Sequence, residues 1–398
     1  MQPPDKLPQV GTTIFTVMSR RATELGAVNL GQGFPDYPID PLLATLVHEA
    51  MLEGFNQYAP MPGLELLREQ IALKLQRNYG LSIDADTEVT VTLGATEAIY
   101  STIQSLVSPG DEVLVFDPAY DSYEPAVQLA GGRCIHVPLL PPEFRPDWQR
   151  VAEQLSNRTR LIIINSPHNP ACSCLAGEDL EALAGLLRAR NCWVLSDEVY
   201  EHIVFDGRKH ASVLAHPELR ARSVAVFSFG KTLHATGLRV GYAVAPAPLN
   251  VQLRKVHQFN TFSIATASQR AIARYLIERP DCGADLPGFF QQKRDRLAGL
   301  LQDGPLRVLR SAGSYFQLMD YSAVSALPDL AFVEQLVTQA GVAAIPLSVF
   351  YQQPPPMRLV RLCFAKRDET LAEGARRLAA WASRTQPAGP GRTGTMNS

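Results

Sequence analysis

Short apolar runs rich in Val, Ile and Leu recur along the chain, separated by longer stretches in which apolar positions come three and four apart. The short runs fall at 89–93, 112–116, 133–137, 161–165, 192–196, 223–228 and 240–245. Runs of that length with little polar alternation predict strands covered on both faces. The longer stretches predict helices over 96–107, 177–190 and 250–277. Strand and helix in alternation is the pattern of α/β units around a mainly parallel sheet. After about Asp281 the order changes to a helix through 291–302, a strand over 315–321, a helix near 329–340 and an alternating strand over 358–364. The expectation is an α/β fold with a large domain over 41–280, a smaller α+β domain over 281–385 and an N-terminal segment over 1–40. Residues 386–398 are rich in Pro, Gly and Thr and nearly devoid of apolar side chains, which predicts a disordered tail.

Composition narrows the function classes. The 398 residues carry 37 Lys and Arg against 39 Asp and Glu, a formal net charge of -2. Without a basic excess, neither a nucleic acid nor an anionic membrane is an expected partner, and a small molecule is. Cys134, Cys172, Cys174, Cys192, Cys282 and Cys363 are scattered and read as reduced thiols. Cys172 and Cys174 have no second Cys/His pair nearby, so no metal site is expected. No signal-like or membrane-length apolar run appears, and a cytoplasmic protein is expected.

Several segments carry candidate chemistry. Lys231, in Ser228-Phe229-Gly230-Lys231-Thr232, follows a strand, so its amine falls near the carboxyl end of a sheet, where open α/β sheets bind ligands. Arg239 follows between Gly237 and Gly241, and a guanidinium beside an amine suits a phosphorylated aldehyde. Ser196-Asp197-Glu198-Val199-Tyr200 sets a carboxylate at a strand end with a phenol three residues on. That pair reads either as groups facing one ligand, the carboxylate against a pyridine nitrogen, or as a helix cap followed by a core tyrosine. Leu93-Gly94-Ala95-Thr96 runs from strand through glycine into helix, where backbone N–H groups bind phosphate. Tyr120 has the flat face to stack on a cofactor ring, and Asn165-Ser166-Pro167-His168-Asn169-Pro170 predicts a tight turn presenting the Asn169 amide. On the 358–364 strand, Arg361 shares a face with Leu359 and Cys363, which calls for an anionic ligand or a structural salt bridge.

In order and spacing these motifs resemble the pyridoxal 5'-phosphate (PLP) aminotransferases of fold type I, class I/II, from about Lys6 to Ala382. Within that family the chain looks most like the bacterial methionine aminotransferases and the kynurenine and glutamine transaminases. The segments that carry this are Asn29-Leu30-Gly31-Gln32-Gly33-Phe34-Pro35-Asp36, Asn56-Gln57-Tyr58-Ala59-Pro60 and Val360-Arg361-Leu362-Cys363-Phe364. The resemblance implies a seven-stranded, mainly parallel sheet and a homodimer, with residues 1–40 packed on the small domain and the partner subunit. It implies Lys231 as covalent anchor and proton carrier, Asp197 against the pyridine nitrogen, Tyr200 and Asn169 on the ring oxygen, and Tyr120 stacked on the ring. Ala95, Thr96, Ser228 and Arg239 would hold the phosphate, joined by Tyr58 of the partner subunit. Arg361, Asn169 and Gly33 would take the substrate carboxylate. Phe15, Phe34 and Tyr37, with the partner's Tyr58 and the partner's Phe262, would wall the distal side, where Arg20 and Arg21 are the nearest cations in sequence.

Two positions depart from the family's commonest pattern: Gly230 before the lysine, and Ala171-Cys172 after the Asn-Pro. The expected substrates are an amino acid and a 2-oxo acid, with methionine or an aromatic donor ahead of acidic ones. A glutamine or kynurenine transaminase with cysteine-conjugate β-lyase activity is the alternative. A ligand sensor that keeps the fold without catalysis is the reading from another class.

Overall fold

The computed structural model describes residues 3–385, so the expected tail lies outside the described residues. Seven strands form one sheet in the spatial order Val89–Leu93, Val240–Val244, Ser223–Ser228, Trp193–Asp197, Thr159–Asn165, Glu112–Asp117, Arg133–Pro138. The last five of these run parallel, and Val240–Val244 runs against both of its neighbours. Burial explains the sequence pattern: all six residues of Glu112–Asp117 and all five of Val240–Val244 are buried, so these strands lack polar alternation. Helices such as Gly94–Leu106, Gly177–Leu187 and Ala247–Asn260 cover the sheet.

A second sheet of four antiparallel strands, in the order Ile345–Pro346, Leu359–Cys363, Phe316–Asp320, Arg307–Val308, lies in the C-terminal part of the chain. The N-terminal strand Val28–Asn29 pairs in parallel with Val342–Ala343, which ties the first residues to the last third of the chain. No helix among the described residues is long and apolar enough to cross a membrane.

One expected element is corrected. The 250–277 stretch forms two helices, Ala247–Asn260 and Thr266–Glu278, not one. The chain turns at Phe262, whose φ is 66°, while its N–H donates to the His257 carbonyl. The helical spacing of apolar positions continues across the break, and no Gly or Pro marks it. The helix near 329–340 is also more complex, an α-helix over Asp329–Gln335 that widens to a π turn over Leu336–Ala340.

Candidate active site

Asn165, Asp197 and Ser228 are the final residues of three adjacent strands, which aligns their segments along one sheet edge. Asn165 acts as a splint: its amide Nδ2 donates to the Asp197 carbonyl at 2.8 Å, and its Oδ1 accepts the Asn169 N–H at 2.8 Å. Within the turn that follows, burial drops the His168 imidazole to about 3, so the ring is neutral and its Nδ1 accepts the Ala171 N–H. Cys172 closes the turn in the left-handed region, φ 63°, where glycine is easier. The Ala171-Cys172 departure thus places a non-glycine residue at a left-handed position of the turn.

At the centre, burial pushes the Asp197 carboxyl up to about 6, against the pull of the Tyr123 hydroxyl, the Val199 N–H and the Lys231 charge. Tyr123 donates to Asp197 Oδ2 at 2.6 Å. Lys231 follows Ser228 on the short helix Phe229–Thr232, and burial lowers its amine to about 8. Its Nζ donates to the Tyr315 hydroxyl at 3.0 Å and lies 5.7 Å from the centre of the Tyr200 ring. Burial also raises the phenols of Tyr200 and Tyr315. Tyr120 meets Tyr123 edge to face at 5.7 Å, and burial pushes its phenol up to about 12 while a hydrogen bond with Thr96 and the Arg239 charge act the other way.

Beside this centre is a cradle shaped by missing side chains. No side chain caps the first turn of the helix Gly94–Leu106. A Cβ on Gly94 would stand 2.7 Å from Arg239 Nη2, and one on Gly241 would meet the Ala95 nitrogen at 2.7 Å. Arg239, itself at φ 54°, therefore holds its guanidinium over the N-terminus that carries Ala95 and Thr96, with Ser228 paired across to Gly241. Helix N–H groups and a guanidinium converging there form an anion site. At Gly230 a Cβ would stand 3.1 Å from the Thr236 Cα, so the glycine that departs from the family pattern fits a tight contact.

On the other side, Arg361 is 1% exposed, and its Nη1 and Nη2 donate to Asn169 Oδ1 at 2.6 Å and the Gly31 carbonyl at 3.0 Å. Both acceptors are neutral, and Nε is buried without a partner. The guanidinium lies 3.8 Å from the Phe316 ring centre and 5.1 Å from that of Phe15. A buried cation with only neutral partners and a spare donor is suited to a carboxylate.

The structure thus brings together Lys231, Asp197, Tyr200, Tyr120, Asn169, Arg361, Gly33 and Phe15, with Ala95, Thr96, Ser228 and Arg239 at the cradle. Tyr58 and Phe262 meet each other at 5.4 Å instead, and Tyr58 is 83% exposed. Tyr37 packs on His234 and Phe289, which removes it from the wall expected beside Phe15. Phe350 takes that position, 5.7 Å from Phe15. Arg20 and Arg21 face Glu24 and Glu334. The Lys366 amine lies near the Phe34 ring but donates to the Phe34 carbonyl. Tyr315, Tyr123, Phe316 and Phe350 also stand at the site, and none carries a role in the sequence reading. Tyr123 lies three residues after Tyr120, whereas nothing local sets Tyr315 or Phe350 apart from core aromatics. Among the described residues no group of three or more His, Cys, Asp or Glu could hold a metal.

Comparison with known proteins agrees with this geometry. The family model "Aminotransferase class I and II" matches residues 26–378. The methionine aminotransferase of Escherichia coli K12 is 53% identical over 376 residues, 94% of this chain and 97% of that protein. A crystal structure of an E. coli methionine aminotransferase superposes with a TM-score of 0.94 at 52% identity, covering 96% of this chain and 100% of that one. Human kynurenine–oxoglutarate transaminase 1 is 33% identical, over 90% of this chain and 93% of that protein.

Proposed function

The chain belongs to the class I and II aminotransferases, which work through PLP, and from that premise we propose that it takes the amino group of methionine or an aromatic amino acid and passes it to a 2-oxo acid. When bound, PLP supplies an aldehyde that joins amines and a ring that draws electrons from the substrate Cα. The cradle fits its phosphate, since Gly94 and Gly241 leave no room for a Cβ beside Ala95 and Arg239. Ala95, Thr96, Ser228 and Arg239 would hold that phosphate, with the partner subunit's Tyr58. Asp197 would face the ring nitrogen, and a cation there would favour the carboxylate that burial alone disfavours. Tyr200 and Asn169 would reach the ring oxygen, and Tyr120 would cover the ring face.

Lys231 would hold the cofactor through its amine and would carry the Cα proton of the substrate. An amine lowered to about 8 is neutral in useful amount near pH 7. Arg361 takes the substrate carboxylate, helped by Asn169 and the Gly33 backbone. The observation that carries the reading is the buried Arg361, whose partners are neutral and whose Nε is spare, in the same site as a buried, low-pKa lysine.

The donor preference rests on Phe15 and Phe316, the aromatic side chains beside Arg361, and on Phe350 packed against Phe15, joined by the partner's Phe262. Arg20 and Arg21 are engaged with glutamates elsewhere, so neither serves a distal carboxylate. Sulfur–aromatic contacts then favour methionine. The kynurenine transaminase relative and the aromatic wall favour kynurenine as a second donor, with β-lyase side activity. In the same reading the enzyme is a cytoplasmic homodimer in which residues 41–280 bind the cofactor, 281–385 form the small domain and 1–40 pack on that domain and the partner. The test is kcat/KM for methionine, phenylalanine, glutamine and aspartate against one oxo acid. Methionine is expected to lead, and aspartate in first place would overturn the preference.

A further inference from the structure

We propose that Tyr315 and the Gly33 carbonyl act together to keep the lone pair of Lys231 free. The inference rests on Lys231 being the proton carrier. Lys231 Nζ lies 3.0 Å from the Tyr315 hydroxyl, which lies 2.5 Å from the Gly33 carbonyl oxygen. A carbonyl can only accept, so the one proton of the phenol is committed to Gly33. Toward Lys231 the phenol oxygen is therefore an acceptor, and the contact uses an N–H of the amine, leaving its lone pair available. Tyr315 stays a phenol, because burial holds its proton far above the ordinary range. Its ring is fixed edge-on between Tyr200 at 5.0 Å and Phe316 at 4.9 Å, so the hydroxyl is confined to this neighbourhood.

The arrangement makes the base depend on the loop that receives the substrate. In that loop the Gly31 carbonyl accepts Arg361, the Gly33 carbonyl accepts Tyr315 and the Phe34 carbonyl accepts Lys366. If the loop shifts, the Tyr315 proton loses its acceptor and is shared between the Tyr200 oxygen and the lone pair of Lys231, 3.0 Å away. The amine is then capped and poorer as a base. With the loop seated, the amine is oriented by one N–H and uncapped.

Gly33→Ala perturbs this link, since a Cβ there would lie 2.6 Å from Phe316 Cζ, and that ring is pinned under Arg361. The experiment uses the full-length protein loaded with pyridoxamine 5'-phosphate, the aminated cofactor, which leaves Lys231 unmodified. Formaldehyde with cyanoborohydride methylates free lone pairs, and peptide mass spectrometry reads the rate at Lys231. Gly33→Ala should slow labelling about five- to tenfold, the scale of one neutral hydrogen bond. Adding Tyr315→Phe should restore it, because the capping proton is gone. Tyr315→Phe alone keeps the ring packing and should label no slower than the wild type, while kcat falls several-fold with KM little changed. Undiminished labelling in Gly33→Ala, a double variant as slow as Gly33→Ala, or unchanged kcat in Tyr315→Phe would each overturn the proposal. Failure of the underlying reading looks different, since Lys231→Ala would then retain turnover.

Discussion

Burial works against charge at both ionisable centres of the site, lowering the Lys231 amine to about 8 and raising the Asp197 carboxyl to about 6. For Lys231 the shift leaves about one amine in ten neutral at pH 7, against fewer than one in a thousand at an ordinary lysine. Reductive methylation of Lys231 should therefore rise with a midpoint near pH 8, and a midpoint at 10 or above would contradict it. Lys231→Ala should abolish turnover. For Asp197 the folded value lies above the ordinary 3.8, so the group favours the fold below about pH 4 and loses that contribution as pH rises through about 6. Cofactor-free Asp197→Asn should accordingly melt higher than the wild type above pH 6 while losing most of kcat when loaded. Tyr123→Phe removes a hydrogen bond that holds the Asp197 proton down, so the acid limb of the kcat/KM profile should move to higher pH. An unmoved limb would show that Asp197 does not govern it.

Among the elements, the phosphate cradle depends on backbone approach more than on any side chain. A Cβ on Gly241 would meet the Ala95 nitrogen and Gly94 carbon at 2.7 Å and the Phe227 oxygen at 2.8 Å, and none of these backbone atoms yields cheaply. Gly241→Ala should weaken PLP binding by at least about tenfold, measured by cofactor fluorescence, since a shift of tenths of an ångström misaligns the helix N–H groups. The inner strands of the large sheet were legible because buried strands such as Glu112–Asp117 and Val240–Val244 carry little polar alternation, and Asp197, Ser228 and Lys231 follow from where their strands end. What the chain did not reveal depends on tertiary contact. The break at Phe262 has no local breaker, and Tyr315 becomes distinctive only when its segment meets Lys231 and Gly33. Phe350 is one more buried aromatic until the fold sets it against Phe15.

Over the whole molecule, an apolar face remains that the single chain does not bury. Leu52 is 75% exposed, Tyr58 83% and Phe259 91%, with Met51 and Phe262 also exposed nearby in sequence. Large apolar side chains left in water at this density mark an association surface. Tyr58 and Phe262 lie on that face and contact each other, and in the proposed dimer they would serve the partner's catalytic centre. A two-fold dimer would let each subunit lend Tyr58 to its partner. Mixing two inactive variants tests this directly. In a heterodimer of a Lys231→Ala subunit and a Tyr58→Ala subunit, the site that keeps Lys231 receives an intact Tyr58 from its partner, while the other site lacks both. Random reassembly makes about half the dimers mixed, each with one working site of two, so about a quarter of wild-type activity should return. If Tyr58 served its own subunit, no combination would hold a complete site, and the mixture would stay as inactive as its parents.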